Sequence, residues 1–124
     1  MFESLVLPEV DIEAEWFDRI HYHTCGYTHL LDLCLSRPYM HVIQYSPNLK
    51  ESKEESTRLP FYRRVQEANR CLDSHVSPEQ VEYVIRHLSP KGLHIRVTVK
   101  SVAKAEELLE NAVSWSGSHM SRSA

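Results

Sequence analysis

The order of local patterns along the chain constrains its fold more than any single motif. Short apolar runs suited to strands alternate with helical stripes four times over, and turn or cap residues separate them. Residues 3–17 place Leu5, Leu7, Val10, Ile12 and Trp16/Phe17 at helical spacing, with Pro8 as a kink or late start. Residues 20–25 follow as a strand ending at Gly26, and residues 28–35 as a helix carrying Leu30, Leu31, Leu33 and Cys34. Residues 40–45 (MHVIQY) form a second strand, closed by Ser46-Pro47-Asn48. Residues 49–56 read as a polar loop, solvated or serving as a lid, and residues 59–68 as an amphipathic helix. Residues 71–76 are the least apolar strand. After it, Ser77-Pro78-Glu79-Gln80 is the signature of a capped helix start, which runs to about Leu88. Gly92 resets the chain. In residues 93–99, Leu93, Ile95, Val97 and Val99 alternate with His94, Arg96 and Thr98, and Ser101 then caps a last helix through Val113.

Such a succession is α/β, with a parallel sheet and helical crossovers. It amounts to one helix followed by a (βα)4 unit, half of the eight-unit barrel that usually needs about 250 residues. Four units alone leave two sheet edges open, which folded proteins avoid. Residues 1–113 are therefore expected to form half a TIM-type barrel, completed by another half or by a homodimer. The polar residues 114–124 (SWSGSHMSRSA) are expected to be a flexible tail, in which Gly117–Met120 resembles a cloning scar.

Composition narrows the function classes. A formal net charge of −3 argues against a nucleic-acid partner, and the cluster Arg58, Arg63, Arg64 and Arg70 reads as a solvated helix face. No apolar run approaches the ~20 residues that cross a bilayer, and the acidic N-terminal stretch is unlike a signal peptide. Three cysteines, Cys25, Cys34 and Cys71, suit a reducing compartment. A cytoplasmic location is the expectation.

The segments FESLVLPEVDIEAEWFDRIHYHTCG, MHVIQYSPN, LPFYRRVQEA, SPEQVEYVIRHLSPKGLHIRV and SVAKAEELLENAV together resemble the C-terminal half of uroporphyrinogen-decarboxylase-superfamily proteins. The resemblance rests on Leu7-Pro8-Glu9, on His23–Gly26 and on Ile43-Gln44-Tyr45-Ser46-Pro47, and it extends from Phe2 to Val113. It implies a (β/α)8 barrel in which His23–Cys25 closes strand five, Gln44-Tyr45 strand six, His75 strand seven and Val99-Lys100 strand eight. The superfamily includes cofactor-free decarboxylases of tetrapyrrole carboxylates. It also includes zinc-dependent methyltransferases that work with corrinoid (cobalamin) proteins or thiol acceptors.

Barrel active sites lie at the C-terminal strand ends, and residues two apart on a strand point the same way. His23 and Cys25 are thus the first candidate zinc ligands, a pairing that the resemblance to the methyltransferase branch supports. The family's second cysteine has no counterpart near Val99-Lys100, and His75 is the substitute third ligand. Tyr45 is the candidate catalytic hydrogen-bond donor to a substrate carboxylate or pyrrole, or else an aromatic closing the barrel mouth. His21 either lines the interior beside His23 or is a satisfied buried histidine. His29, His41, His87 and His94 are expected on helices or on outward-facing strand positions. The expected function is zinc-linked methyl transfer involving a small molecule or a corrinoid protein partner. The alternatives are half of a decarboxylase, or a catalytically silent half-barrel that dimerises.

Overall fold

The computed structural model of the protein describes residues 2–24, 30–46 and 54–123, with side chains to residue 117. Four strands form one sheet: β1 (Ile20–His23), β2 (Met40–Tyr45), β3 (Cys71–His75) and β4 (Leu93–Arg96). The sheet runs in the sequential order β1-β2-β3-β4 and every pairing is parallel. Helices α1 (Leu7–Ala14), α2 (Leu31–Leu35), α3 (Leu59–Glu67), α4 (Val81–His87) and α5 (Val102–Ser123) supply the connections and flanks. The α/β class and the strand order agree with the sequence pattern.

Register assigns each strand residue to a face. Tyr22, Ile43, Leu72 and Leu93 form one cross-strand row, and Tyr45, Ser74 and Ile95 form another. Both rows meet the helices, in a core that includes Leu31, Cys34, Tyr62, Val65, Val81, Val84 and Leu88. On α3 the buried set Leu59, Tyr62 and Val65, and on α4 the set Val81, Val84 and Ile85, recur at the three-to-four-residue spacing of a single helix face. Alternate strand residues point to the opposite side.

Local chemistry explains the boundaries. Pro8 and Pro60 sit in the first turns of α1 and α3, where a missing amide costs nothing. The chain is already helical before α1, as a π-helix over Phe2–Val6 that runs directly into α1 at Leu7, so Pro8 does not mark a late start but lies next to a change of helix type. Gly92 adopts φ +70°, and its carbonyl accepts the Leu72 amide at 2.8 Å as β3 begins. A Cβ there would lie 3.3 Å from Cys71 Sγ, so the site calls for glycine on both counts. A register shift between Ile20 and His21 leaves His41 outside the paired positions of β2.

Three further expectations are corrected. Arg58, read as part of a solvated helix face, is buried. Ser77 makes no side-chain cap bond, and Gln80 does not complete a capping box; its Oε1 instead accepts the Glu55 amide at 3.2 Å. The last helix does not stop at Val113 but continues to Ser123. Its apolar stripe gains another turn through Trp115, which joins Leu108 and Ala112 against the core.

The short 3-10 turn Glu55–Thr57, just before α3, is fastened by buried charge. Glu55 Oε1 accepts Arg58 Nη1 at 2.7 Å, and Glu55 Oε2 accepts the Tyr62 hydroxyl at 2.6 Å. The Tyr62 hydroxyl also meets Ser74 Oγ at 2.8 Å, linking the turn and α3 to β3. Burial, reinforced by the Glu55 carboxylate, pushes the Tyr62 phenol well above its ordinary range, so it stays neutral and donating. The Arg58 guanidinium lies 5.4 Å from the Tyr45 ring centroid. Replacing Glu55 with alanine strands the Arg58 charge in the interior and should cost about 3–5 kcal/mol in denaturant unfolding. Tyr62→Phe, which removes only the hydroxyl, should cost about 1–3 kcal/mol. Equal small losses in both variants would contradict the network.

Candidate functional site

Among the described residues, the face of the sheet away from the helices has no cover, and it is polar. Register places His23, Gln44, Asp73 and His94 in one cross-strand row across it. His21, Val42 and Cys71 lie on the same face nearer the strand starts, and His75 pairs with Arg96 nearer the strand ends. His94 is therefore not on an outward, helix-side position, as the sequence reading expected, but shares this face with His21 and His23.

Asp73 organises the row. Its side chain is only 4% exposed although no helix covers it, because neighbouring side chains close over it. His21 Nε2 lies 3.2 Å from Oδ2, Arg96 Nε donates to Oδ1 at 3.1 Å, and His94 Nδ1 is 3.8 Å away. His21, His94 and Arg96 remain 49%, 67% and 47% exposed, so the carboxylate is buried while its partners face outward. A carboxylate in that position fixes the imidazole orientation and tautomer and holds a guanidinium in place. Nothing in the least apolar strand marked Asp73 in advance. Arg96 was visible only as one of three polar residues alternating with an apolar set.

A second feature lies at the C-terminal ends of β3 and β4. A cleft of about 340 Å³ is lined by Glu55, Arg58, His75, Val76, Ser77, Pro78 and Thr98. His75 Nε2 is 3.3 Å from Thr98 Oγ1 at its rim.

The expected site residues fall in different places. His23 is exposed on the open face at the end of β1, and the Thr24 that follows it is buried, its hydroxyl donating to the Gln44 carbonyl at 2.9 Å. Cys25 and His29 lie outside the described residues. His75 is two strands from His23 and one step further along, a Cα separation of roughly 12 Å on ideal sheet spacing. Tyr45 points to the helix side, 2% exposed, with its ring 5.2 Å from Phe61 and 5.8 Å from Tyr62. His87 stacks on Tyr83 of α4. Among the described residues, no three His, Cys, Asp or Glu side chains are grouped so as to hold a metal ion. No described helix is long and apolar enough to cross a membrane. No family model, curated protein or solved structure matches the chain.

The two described cysteines differ sharply. Cys34, on the buried side of α2, is fully enclosed, and burial pushes its thiol up to about 11; Cys71 is exposed at the start of β3. A thiol pKa raised in the folded state adds stability that is whole below about pH 8.5 and is lost as pH rises through 11. Iodoacetamide at pH 8, read by peptide mass mapping, should therefore modify Cys71 and leave Cys34 intact until the protein is denatured. Comparable native labelling of both would contradict this packing.

Proposed function

We propose that the chain is the C-terminal half of a (β/α)8 barrel of the uroporphyrinogen-decarboxylase superfamily, and that its open sheet face is one wall of a small-molecule active site. The observation that carries the reading is the asymmetry of the sheet. Among the described residues, a sequential parallel sheet has helices on one face only, and the other face carries a buried carboxylate ringed by His21, His94 and Arg96. Parallel sheets ordinarily have both faces covered, and in a barrel the inward face is filled by the side chains of the other strands. Wide exposure of apolar residues at the two ends of the sheet supports the same view. Ile12 (54%), Trp16 (82%) and Phe17 (63%) on and just after α1, and Val102 (75%), Leu109 (70%) and Val113 (76%) on α5, lie where further barrel units would pack.

Exchange and mass measurements test it. As a half-barrel the chain should self-associate, toward twice 14.5 kDa where a second copy closes the barrel, or leave the outer amides of β1 and β4 rapidly exchanging. A compact monomer whose β1 and β4 edge amides are as protected as those of β2 and β3 would overturn the reading.

Zinc-linked methyl transfer, with a corrinoid protein or thiol acceptor as partner, is the second reading, favoured by the exposed position of His23 at the end of β1 on the open face. His23 and Cys25 would hold the ion, and zinc would supply a bound, deprotonated thiol. His75 is distant from His23 within the sheet and is engaged with Thr98, so it fits poorly as a third ligand. Near-stoichiometric zinc in the wild type, lost in His23→Ala and in Cys25→Ala, would support this; wild-type protein that takes up no zinc would remove it.

A further inference from the structure

We propose that Arg96, flanked by His21 and His94 and positioned by Asp73, is an oxyanion-binding site on the open sheet face, taking a small carboxylate or phosphate. The proposal rests on the reading of that face as an active-site wall and gives the wall a ligand chemistry.

The balance of groups around Asp73 is the first argument. One carboxylate, 4% exposed, faces one guanidinium and two imidazoles within 3.8 Å, and His23 and His75 occupy neighbouring positions on the same face. The carboxylate is buried while the guanidinium and both imidazoles stay exposed, so the cluster presents those groups to solvent rather than the carboxylate, a surface that favours an anion.

Geometry is the second argument. Arg96 spends its Nε on Asp73 Oδ1 at 3.1 Å, and among the described residues no protein acceptor takes its two terminal nitrogens. A guanidinium anchored at Nε presents those two nitrogens as a preset fork matched to the oxygens of a carboxylate or phosphate. Its side chain is 47% exposed, so an incoming ligand has access to it.

The third argument concerns His21. Its Nε2 faces Asp73 Oδ2 at 3.2 Å, which favours the tautomer with the proton on Nε2 and leaves Nδ1 as a lone pair on a half-exposed ring. Asp73 thus orders His21 as well as Arg96, and both side chains remain about half exposed on the same face. Asp73, which touches no ligand in this arrangement, acts as a positioning residue for both neighbours.

Imidazole NMR of the full chain supplies the test, with His21 and His94 assigned from His→Gln variants. Succinate, inorganic phosphate and, as a neutral control, succinamide are titrated at constant ionic strength and fixed pH. The expected result is saturable shifts of both signals with succinate or phosphate and none with succinamide; the relative affinities say which anion the site prefers. Arg96→Gln should weaken binding at least tenfold. Arg96→Lys, which keeps the charge without the fork, should weaken it less than Arg96→Gln and still measurably. Linear, unsaturable shifts in the wild type, or unchanged affinity in both Arg96 variants, would overturn the proposal. Arg96 is half exposed, and a circular dichroism spectrum matching wild type establishes that each variant is folded. Because edge-amide exchange tests the barrel separately, an absent anion site with exposed edges would leave the half-barrel standing. Anion binding on a chain with protected edges would leave the site standing without the barrel.

Discussion

A parallel sheet satisfies its backbone between strands, and the two faces it presents then set the demands on the rest of the chain. Here one face is apolar and helix-covered, and the other carries His21, His23, Gln44, Asp73, His75, His94 and Arg96. Because side chains alternate, a strand that serves both faces must interleave two compositions. The ladder Leu93-His94-Ile95-Arg96 does this openly, with half-buried and exposed residues in strict alternation. In β3 the same alternation is hidden. Leu72, Asp73 and Ser74 are all buried, because Asp73 is covered by its ion partners and Ser74 is hydrogen-bonded to Tyr62.

The two buried carboxylates among the described residues do different work. Glu55 is enclosed on the helix side by Arg58 and Tyr62, and its amide is taken by Gln80, so its hydrogen bonds are spent within the chain although it also lines the cleft beside His75. Such a network fixes how the Glu55–Thr57 turn sits on α3 and β3, and its energetic weight appears chiefly when one partner is removed. Asp73 has partners that are half exposed and can meet something else. A buried acid whose counter-charges point outward suits recognition better than it suits structure alone.

Much of the scaffold was legible in the residues. The bounds of β2 match the apolar run at residues 40–45, Gly92 marks the turn its φ requires, and Ser101 Oγ does accept the Lys104 amide at the head of α5. What failed were local rules overridden by distant contacts. Gln80 has the spacing of a capping box, but the Glu55 amide needed an acceptor and took it. The stretch after Val113 has the small polar composition of a tail, yet Trp115 had apolar surface to reach and carried the helix on. The site was harder still. Asp73 sits in the strand with the weakest apolar signal, and its importance comes from His21 and Arg96, 52 and 23 positions away, meeting it across the sheet.

The chemistry of the open face bears on what completes it. Small barrels fill their interior with layers of side chains, and bulky aliphatic residues are the usual filling. A row of His23, Gln44, Asp73 and His94, with Arg96 beside it, cannot be buried against aliphatic partners without stranding hydrogen-bonding groups, at about 1–3 kcal/mol each and more for the charges. Whatever faces this wall must therefore bring acceptors, water or a polar ligand. A complement made of a second copy would bring a second Arg96–Asp73 pair and a second set of imidazoles to the same interior, each guanidinium with its terminal nitrogens still to be satisfied. Under either form of completion, the cost of enclosing Arg96 is lowest when an oxyanion fills the fork that Asp73 leaves open.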